Sequence, residues 1–261
     1  MANATCLNTD KMKISLITVC YNAEMTMEKT ILSVLNQDYK NVEYIIVDGL
    51  SNDATMDIVG KYIDKIAITI SEKDSGMYDA INKGISFATG DVVGILNSDD
   101  VLATPQTISQ IVAEFRGNRS AQAVFGDISF VKKNGTCLRY YSAKKWRPSS
   151  LAWGFMPPHP TFYCKRELFA DYGNYRTDFE IAADFELLIR FLKVNSVTYS
   201  YIPQLLVEMR MGGKSTKNFT STLIINREIK RACDINGVHT NYIKIYLKYF
   251  WKIFDFIKVR N

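Results

Sequence analysis

The stretch that decides the fold runs from Val92 to Asp100 and reads VVGILNSDD. Its first five residues are small or apolar, which is typical of a buried strand, and its last four are Asn97, Ser98, Asp99 and Asp100. Parallel sheets bind ligands at the carboxyl ends of their strands, so this pattern predicts oxygen ligands for a hard divalent cation there. The alternative is a turn whose side chains bond their own backbone and cap the following helix.

Strand and helix patterns alternate around this stretch. Short β-branched runs predict strands at 14–19, 42–47, 66–70 and 91–96, and helical spacing of apolar residues predicts helices at 27–35, 54–62 and 77–87. This alternation predicts right-handed crossovers and a mostly parallel sheet with helices on both faces. The second half of the chain follows a different pattern. It predicts longer, antiparallel strands at 124–130 and 136–141, a helix at 181–192, strands at 196–202 and 204–209, and a helix at 221–236.

Each of the first four predicted strands ends in a polar cluster. In chain order the clusters are Tyr21-Asn22, 48–53, 71–76 and 97–100. Because the carboxyl ends of parallel strands share one edge of a sheet, we expect these clusters to form one ligand-binding rim. A local explanation also exists for Ser51, Asn52 and Asp53, which are turn formers and helix N-caps, whereas Asp48 still belongs to its strand.

Composition and missing motifs exclude several classes of protein. The chain has 261 residues, of which 47% are hydrophobic and 23% charged, as expected for a folded α/β protein. Two histidines are too few for a three-histidine zinc site, and the five cysteines form no C-x-x-C pair, which favours a reducing cytoplasm. No G-x-G-x-x-G or G-x-S-x-G motif occurs. Gly213-Lys214-Ser215 ends like a P-loop, but the required first glycine falls at Glu208.

The C-terminal residues 241–261 are basic and aromatic, and they carry most of the net charge of +5. Lys244, Lys248 and Lys252 recur every four residues, so we expect them on one helical face among aromatic neighbours. Such a helix suits peripheral association with the inner face of the cell membrane; the alternative is a helix packed on the domain with its lysines in water. The remainder is close to neutral, which argues against nucleic-acid binding. We predict neither a signal peptide nor a membrane span.

Together, these motifs resemble those of the family 2 glycosyltransferases of GT-A fold, particularly bacterial enzymes that build O-antigen, capsule or exopolysaccharide. The segments that carry the resemblance are 15–22, 48–55, 74–84, 88–91, 97–100, 159–162, 183–190 and 212–215. The resemblance implies an α/β, Rossmann-like fold with a mostly parallel central sheet and a C-terminal helical extension. It divides the chain into an N-terminal extension (1–12), a GT-A domain (13–217, with a nucleotide-binding half 13–103 and an acceptor half 104–217) and C-terminal helices (218–261).

The resemblance also implies a UDP-sugar donor and a Mn²⁺ or Mg²⁺ cofactor. Asp48 would accept the uracil N–H, and Asp74 would lie near the base and ribose. The other nucleotide-binding positions are Thr18, Tyr21, Asn22, Asn82, Asn97 and Ser98. Asp99 would bind the metal with help from Asp100. The sequence departs from the family's D-x-D motif at its first position, where Asn97 brings no charge.

For catalysis the resemblance points to Asp184 as the base of an inverting transfer, with Glu180 and Glu186 as weaker alternatives. A purely structural role for Asp184, as a carboxylate in the first turn of a helix, is the alternative. Residues assigned to the acceptor side or to a lid are His159, Glu180, Arg190, Gly213 and Lys214. A packed loop histidine is the alternative for His159.

The resulting hypothesis is transfer of a hexose or N-acetylhexosamine to a glycan linked to undecaprenyl diphosphate. A sugar-1-phosphate nucleotidyltransferase is the alternative enzyme, although the glycine-rich basic loop that it needs after the first strand is absent. A non-catalytic nucleotide-sugar-binding module is the third interpretation; loss of Asp99 and Asp184 would have favoured it, and both are present.

Overall fold

The computed structural model describes residues 12–132, 135–210 and 219–249. The strands are β1 (Ile14–Cys20), β2 (Val42–Asp48), β3 (Ile68–Ser71), β4 (Val92–Ile95), β5 (Val101–Leu102), β6 (Ala123–Val131), β7 (Cys137–Tyr141), β8 (Tyr163–Lys165) and β9 (Tyr199–Arg210). The helices are α1 (Met27–Leu35), α2 (Thr55–Gly60), α3 (Met77–Phe87), α4 (Thr107–Gly117), α5 (Glu167–Tyr172), α6 (Ala183–Leu188), α7 (Phe219–Ile235) and α8 (242–249). Short 3₁₀ turns occur at 63–65, 148–153 and 159–161.

The strands of the described residues form one sheet in the order β3-β2-β1-β4-β8-β6-β9-β5, with β7 paired to β6. β3, β2, β1 and β4 are mutually parallel, as the sequence predicts. Beyond β4 the sheet is mixed: β8 runs antiparallel to β4 and β6, whereas β6 and β9 are parallel. The carboxyl ends of β3, β2, β1 and β4 therefore lie side by side at one edge.

Helices cover both faces of the parallel half, because alternate side chains of each strand point to opposite faces. Leu16 of β1 packs in the cluster that contains the buried faces of α1 and α4. Its neighbour Ile17 packs in the cluster built with α3, α6 and α7. Residues of α7, among them Ala232 and Cys233, are fully buried in that second cluster. Helix α7 thus contributes to the core of the domain.

Three boundaries differ from the prediction. The two strands expected at 196–202 and 204–209 are one strand, β9, because Pro203 lies where the register between β6 and β9 shifts. A bulge of this kind accommodates a proline that cannot donate a ladder hydrogen bond. The helix expected to reach residue 192 changes to π-helical geometry over Ile189–Val194. Met12, assigned to the N-terminal extension, is 3% exposed and belongs to the core.

The orientation of α8 corrects the expected lysine face. Lys248 is 3% exposed and packs inward, with its ammonium 5.1 Å from the centre of the Tyr249 ring. The opposite face is apolar and exposed, and its residues are Tyr242, Ile243, Tyr246 and Leu247. Lys252 lies outside the described residues. Tyrosines and aliphatic side chains, rather than a row of lysines, therefore face solvent on the described part of this helix.

Candidate active site

The loops that follow β1 and β2 hold each other in place. The Asn22 N–H donates to the Ser51 hydroxyl at 2.8 Å, and the Asn22 side-chain oxygen accepts the Asn52 N–H at 2.9 Å. Both loops contain a left-handed residue, Asn22 with φ of 51° and Leu50 with φ of 66°. Strain of this kind persists only where surrounding bonds determine the conformation. Asn22, predicted to line a nucleoside pocket, therefore also holds the two loops together.

Asp48 is wholly buried at the end of β2, and hydrogen-bond donors of the protein surround its carboxylate. It accepts the Ser51 N–H at 3.0 Å, the Ser51 hydroxyl, the Ser71 hydroxyl at 2.7 Å and the Cys20 thiol at 3.6 Å. A carboxylate offers about four acceptor sites. The structure thus gives Asp48 the role of holding the loop after β2, and a uracil N–H would have to displace one of these donors.

Tyr21, Gly49 and Asp74 form an open surface at the same edge. The Tyr21 side chain is 63% exposed. Gly49 lies between Asp74 and Tyr21, which approach its backbone closely because it has no side chain. A Cβ there would lie 2.4 Å from the Asp74 Oδ2 and 3.5 Å from Cδ2 of the Tyr21 ring. Asp74 is fixed by the Gly76 N–H, which donates to its Oδ1 at 2.8 Å. An aromatic face beside a carboxylate and bare backbone suits a flat heterocyclic base with N–H donors.

The end of β4 supplies oxygen donors. The Oδ1 atom of Asn97 is buried and has no hydrogen-bond partner among the described residues. Asp99 is partly buried, and burial raises its pKa although Arg210 at the end of β9 opposes that rise. Asp100 is only 1% exposed and accepts the Asn97 amide at 3.4 Å. Asp99 therefore supplies a partly exposed carboxylate and Asn97 a buried amide oxygen without a partner among the described residues, whereas Asp100 is buried and its metal binding stays a prediction.

This donor set fits Mg²⁺ or Mn²⁺. No group of three or more His, Cys, Asp or Glu side chains that could hold a metal occurs within 12–132, 135–210 and 219–249. Mg²⁺ in particular is commonly bound by one or two carboxylates together with substrate phosphates and water. One ionisable carboxylate and an orphaned amide oxygen meet that requirement, whereas they would not make a structural zinc site.

Asp184 lies in the first turn of α6 and is partly buried. Burial raises its pKa, while His159, the Phe185 N–H at 2.8 Å and the Tyr78 hydroxyl oppose the rise. His159 is 8% exposed, and its Nε2 lies 3.0 Å from the Tyr175 hydroxyl. Burial lowers the His159 pKa, although the nearby Asp184 carboxylate opposes that shift. His159 is thus a packed histidine that faces a carboxylate, as its alternative interpretation predicts.

The register of β8 brings this cluster to the rim that carries Asn97. Gly94 of β4 pairs with Tyr163 of β8, so the antiparallel strands place the 159–161 turn beside the end of β4. His159 belongs to that turn, and Asp184 interacts electrostatically with His159. Candidate metal donors and the candidate base therefore lie at the same edge of the sheet.

Several predicted site residues have structural positions instead. Thr18 is wholly buried and accepts a hydrogen bond from Tyr44. Asn82 forms two hydrogen bonds, of 2.8 and 3.0 Å, with the backbone of Tyr175. Thr18 and Asn82 thus have partners within the fold, and their binding of the nucleotide stays a prediction.

Two charged side chains, on α6 and on the π-helical segment that follows it, are likewise occupied. Arg190 makes a bidentate pair with the buried Glu186, at 2.8 and 3.1 Å, and donates to the carbonyls of residues 172–174. Arg190 and Glu186 thus hold a loop and contribute no free group to an acceptor site. Glu180 is exposed and lines a cavity of about 300 Å³. Gly213 and Lys214 lie outside the described residues, and Ser98 is partly exposed, its carbonyl accepting the Thr30 hydroxyl at 3.0 Å.

Sequence reasoning missed three residues that shape the site. Tyr78 bonds the Ile181 carbonyl and contacts Asp184, Tyr175 stacks on Tyr78 with ring centres 5.9 Å apart, and Arg210 faces Asp99. Tyr78 belongs to one of the segments that carry the family resemblance, so a signal for it was available. Tyr175 and Arg210 have no local pattern that marks them.

Comparison with known proteins agrees with this geometry. The family model described as Glycosyl transferase family 2 matches residues 15–176, which is more than half of the chain. The chain belongs to glycosyltransferase family 2. An uncharacterized glycosyltransferase of Mycobacterium tuberculosis is 31% identical over 183 residues, covering 68% of each chain. A PGL/p-HBAD biosynthesis glycosyltransferase of Mycobacterium bovis is 27% identical over 179 residues, covering 67% of this chain and 68% of the relative.

Solved structures show that the glycosyltransferase has the GT-A fold. Residues 1–349 of TarS from S. aureus, in complex with UDP-GlcNAc, superpose with a TM-score of 0.68 at 20% identity, covering 85% of this chain and 66% of TarS 1–349. The mannosyltransferase PcManGT from Pyrobaculum calidifontis, in complex with GDP-Man and Mn²⁺, gives a TM-score of 0.60 at 18% identity, covering 85% and 65%. Within the part of the chain that the structure describes, no helix has the length and apolarity that crossing a membrane requires.

Proposed function

We propose that this glycosyltransferase transfers a hexose or N-acetylhexosamine from a UDP-sugar, with inversion, to a lipid-linked glycan at the cytoplasmic face of the membrane. One observation carries the proposal: the partly buried carboxylate of Asp184 lies near His159 at the rim that also carries Asn97 and Asp99. A carboxylate whose pKa is raised by burial is a stronger general base, provided that the pH lies above that pKa.

Tyr21, Gly49 and Asp74 support the donor assignment. The exposed Tyr21 ring would stack on the base, and the Asp74 Oδ2 over Gly49 would accept its N–H. Asp74 takes this role because the donors around Asp48 already fill its acceptor sites. The UDP and UDP-GlcNAc complexes of TarS support uridine as the nucleoside.

The reaction needs one proton to be removed. The acceptor hydroxyl oxygen forms a bond to the anomeric carbon of the donor, the bond from that carbon to the diphosphate breaks, and Asp184 takes the hydroxyl proton. His159 and the Tyr78 hydroxyl, which both influence the Asp184 carboxylate, would help to orient it. The Asn97 and Asp99 oxygens would hold Mn²⁺ or Mg²⁺, which when bound neutralises charge on the leaving diphosphate. The Mn²⁺ complex of the mannosyltransferase supports that cofactor class.

The exposed apolar face of α8 supports a membrane-bound acceptor. Tyr242, Ile243, Tyr246 and Leu247 are between 40% and 73% exposed, and Lys244 lies 5.5 Å above the Trp153 ring beside them. Tyrosine and tryptophan favour the interface between water and lipid headgroups, and lysine favours anionic lipids. We assign this face to the membrane surface.

UDP release from a panel of UDP-sugars, with a synthetic lipid-diphosphate sugar acceptor, tests the transferase. Wild type should release UDP from one donor only when Mn²⁺ or Mg²⁺ is present, and Asp184→Asn should lose about 10²–10⁴-fold in rate while UDP still binds. Asp234→Asn, on an exposed part of α7, is the matched control. UDP binding without release from any donor favours a binding module, and absence of UDP binding contradicts the donor assignment.

Vesicle sedimentation tests the membrane face. Ile243→Asp should reduce binding to vesicles of phosphatidylglycerol and phosphatidylethanolamine, whereas Leu223→Asp, at an exposed site on α7, should not. Equal binding by all three proteins would exclude the α8 face as the contact surface.

A further inference from the structure

Glu228 of α7 bonds the chain immediately before the helix that carries Asp184. Its Oε1 accepts the Glu180 N–H at 2.6 Å, and its Oε2 accepts the N–H groups of Ile181 and Ala182, each at 2.9 Å. The Glu228 side chain is buried, with the residue 8% exposed. One carboxylate from a distant helix thus satisfies three consecutive backbone amides, two residues before Asp184.

The same segment is held at other points. The Tyr78 hydroxyl donates to the Ile181 carbonyl, whereas the Ile181 N–H donates to Glu228. The carbonyl and the N–H of this residue are therefore bound by two different side chains. One turn further along α7, Arg231 donates to the Asp178 carbonyl at 2.8 Å and lies 4.5 Å from the centre of the Phe179 ring. α7 therefore fixes residues 178–182, which lead into α6.

Only a carboxylate at position 228 can make this set of bonds. Its two oxygens offer about four acceptor sites, whereas glutamine offers one oxygen and an NH₂ group that would face an N–H donor. Buried backbone amides that lose their partner are costly, so the chain would shift to find another. Misplacement of a reacting group by about 1 Å can cost about 10²-fold in rate.

We propose that Glu228 is the positioning residue for Asp184: by binding the three amides before α6, it sets where the base meets the acceptor hydroxyl. This rests on the proposed role of Asp184 as the base. Glu228 has no assigned contact with substrate; it acts through the backbone of residues 180–182. The family model that matches residues 15–176 does not extend to Glu228, so the assignment comes from this chain's own structure.

Glu228→Gln, measured in the full chain, tests the proposal. We expect kcat per UDP-binding site to fall about 10- to 100-fold, while the KM for the UDP-sugar and the Kd for UDP change less than about twofold. Asp234→Asn is the matched control, because it removes an exposed carboxylate from the same helix, where it pairs with the partly exposed Lys230. That control should keep the wild-type kcat.

Combining Glu228→Gln with Asp184→Asn distinguishes positioning from general destabilisation. If Glu228 acts through Asp184, the double variant should be no slower than Asp184→Asn alone, although its melting temperature falls. An equal further loss in the Asp184→Asn background, or an unchanged kcat in Glu228→Gln, overturns the proposal.

Two further outcomes, a failure to fold and a failure of the proposed function, can be distinguished from a failure of this proposal. Should Glu228→Gln yield no folded protein, Glu228→Asp keeps the charge on a shorter side chain and should give an intermediate kcat at unchanged KM; wild-type kcat would overturn the proposal. If Asp184→Asn itself keeps its activity, the proposed function fails independently of Glu228.

Discussion

Glu43 at the amino end of the parallel sheet and the candidate-site carboxylates Asp99 and Asp184 at its carboxyl end differ in how many of their acceptor sites the protein fills. At the amino end, Glu43 of β2 is 6% exposed and accepts bonds from the Lys13 ammonium at 2.5 Å, the Ser15 hydroxyl at 2.5 Å, and the Thr89 N–H and hydroxyl at 2.8 and 2.6 Å. Burial alone would raise the Glu43 pKa, but these donors outweigh it and hold the pKa at about 2. This end of the sheet is a closed hydrogen-bond network.

At the carboxyl end Asp48 is compensated in the same way, but Asp99 and Asp184 have fewer donors to offset their burial. Burial raises the pKa of both Asp99 and Asp184, and the neighbouring Asn97 Oδ1 has no partner among the described residues. Burial is common to both ends, so the difference lies in the donors. Where the protein supplies enough hydrogen-bond donors, the carboxylate stabilises the fold. Where it supplies too few, a cation, a proton or a substrate can provide the missing interaction.

The largest effect expected from this contrast concerns Asp99. Asp99→Asn should lower the transfer rate about 100-fold and raise the metal concentration for half-maximal activity, because it removes the charged donor at the rim. The free energy of unfolding of Asp99→Asn at pH 7 should stay equal or rise. Because the Asp99 pKa is higher in the folded than in the unfolded protein, Asp99 favours the folded state more at low pH than at pH 7. Metal titrations measure the metal concentration for half-maximal activity, and urea unfolding measures the free energy of unfolding. Exposed Asp57→Asn is the control, and a large loss of stability in Asp99→Asn would break the contrast.

Glu43→Gln should instead lower the stability of the fold and leave the transfer rate unchanged. It should lower the free energy of unfolding by about 2 kcal/mol, because it leaves the donors from Lys13 and Thr89 poorly paired. The kcat of the folded protein should not change. Glu167→Gln, whose side chain is 60% exposed and 3.9 Å from Lys165, should change stability by less than about 0.5 kcal/mol. Loss of kcat without loss of stability would contradict a structural role for Glu43.

Tyr21 should give a smaller effect, confined to donor binding. Tyr21→Ala should raise the KM for the UDP-sugar about tenfold with little change in kcat, since the stacked base loses its aromatic partner. Tyr21→Phe should stay near wild type, and Met25→Ala, at a residue 81% exposed, serves as the control. A change in kcat alone would place Tyr21 away from the base.

The smallest effect is a pH dependence. The Glu43 pKa falls from 4.5 to about 2 on folding, so its contribution to stability is complete above pH 4.5 and is lost as the pH falls toward 2. The difference in unfolding free energy between wild type and Glu43→Gln should therefore shrink across that range. Urea unfolding at several pH values measures it; a constant difference would mean that Glu43 does not act through its charge.

The contrast also explains which site residues could be predicted. Tyr21, Asp74, Asn97 and Asp99 follow strands whose order along the chain is apparent from local patterns, and the parallel register brings them to one edge. Asp48 and Thr18 occupy the same pattern, yet the side chains around them make them structural. Sequence position gives the edge of the sheet on which a residue lies, whereas exposure depends on neighbours from other loops.

The sequence by itself determined the alternation of strands and helices in the first hundred residues. Helices α1 and α3 begin and end where apolar spacing predicts, because residues three and four apart decide a helix face. The family resemblance followed from motifs in that region together with short motifs at 159–162, 183–190 and 212–215. These features depend on interactions between residues close in the chain.

Only the tertiary structure decided how the candidate base Asp184 is held and which face of α8 is exposed. Glu228 meets residues 180–182 across more than forty positions, and Lys248 turns inward against Tyr249 although its spacing suggests a solvated face. A contact of this kind leaves no periodic trace in the sequence, because it depends on where two helices pack and not on the pattern within either one.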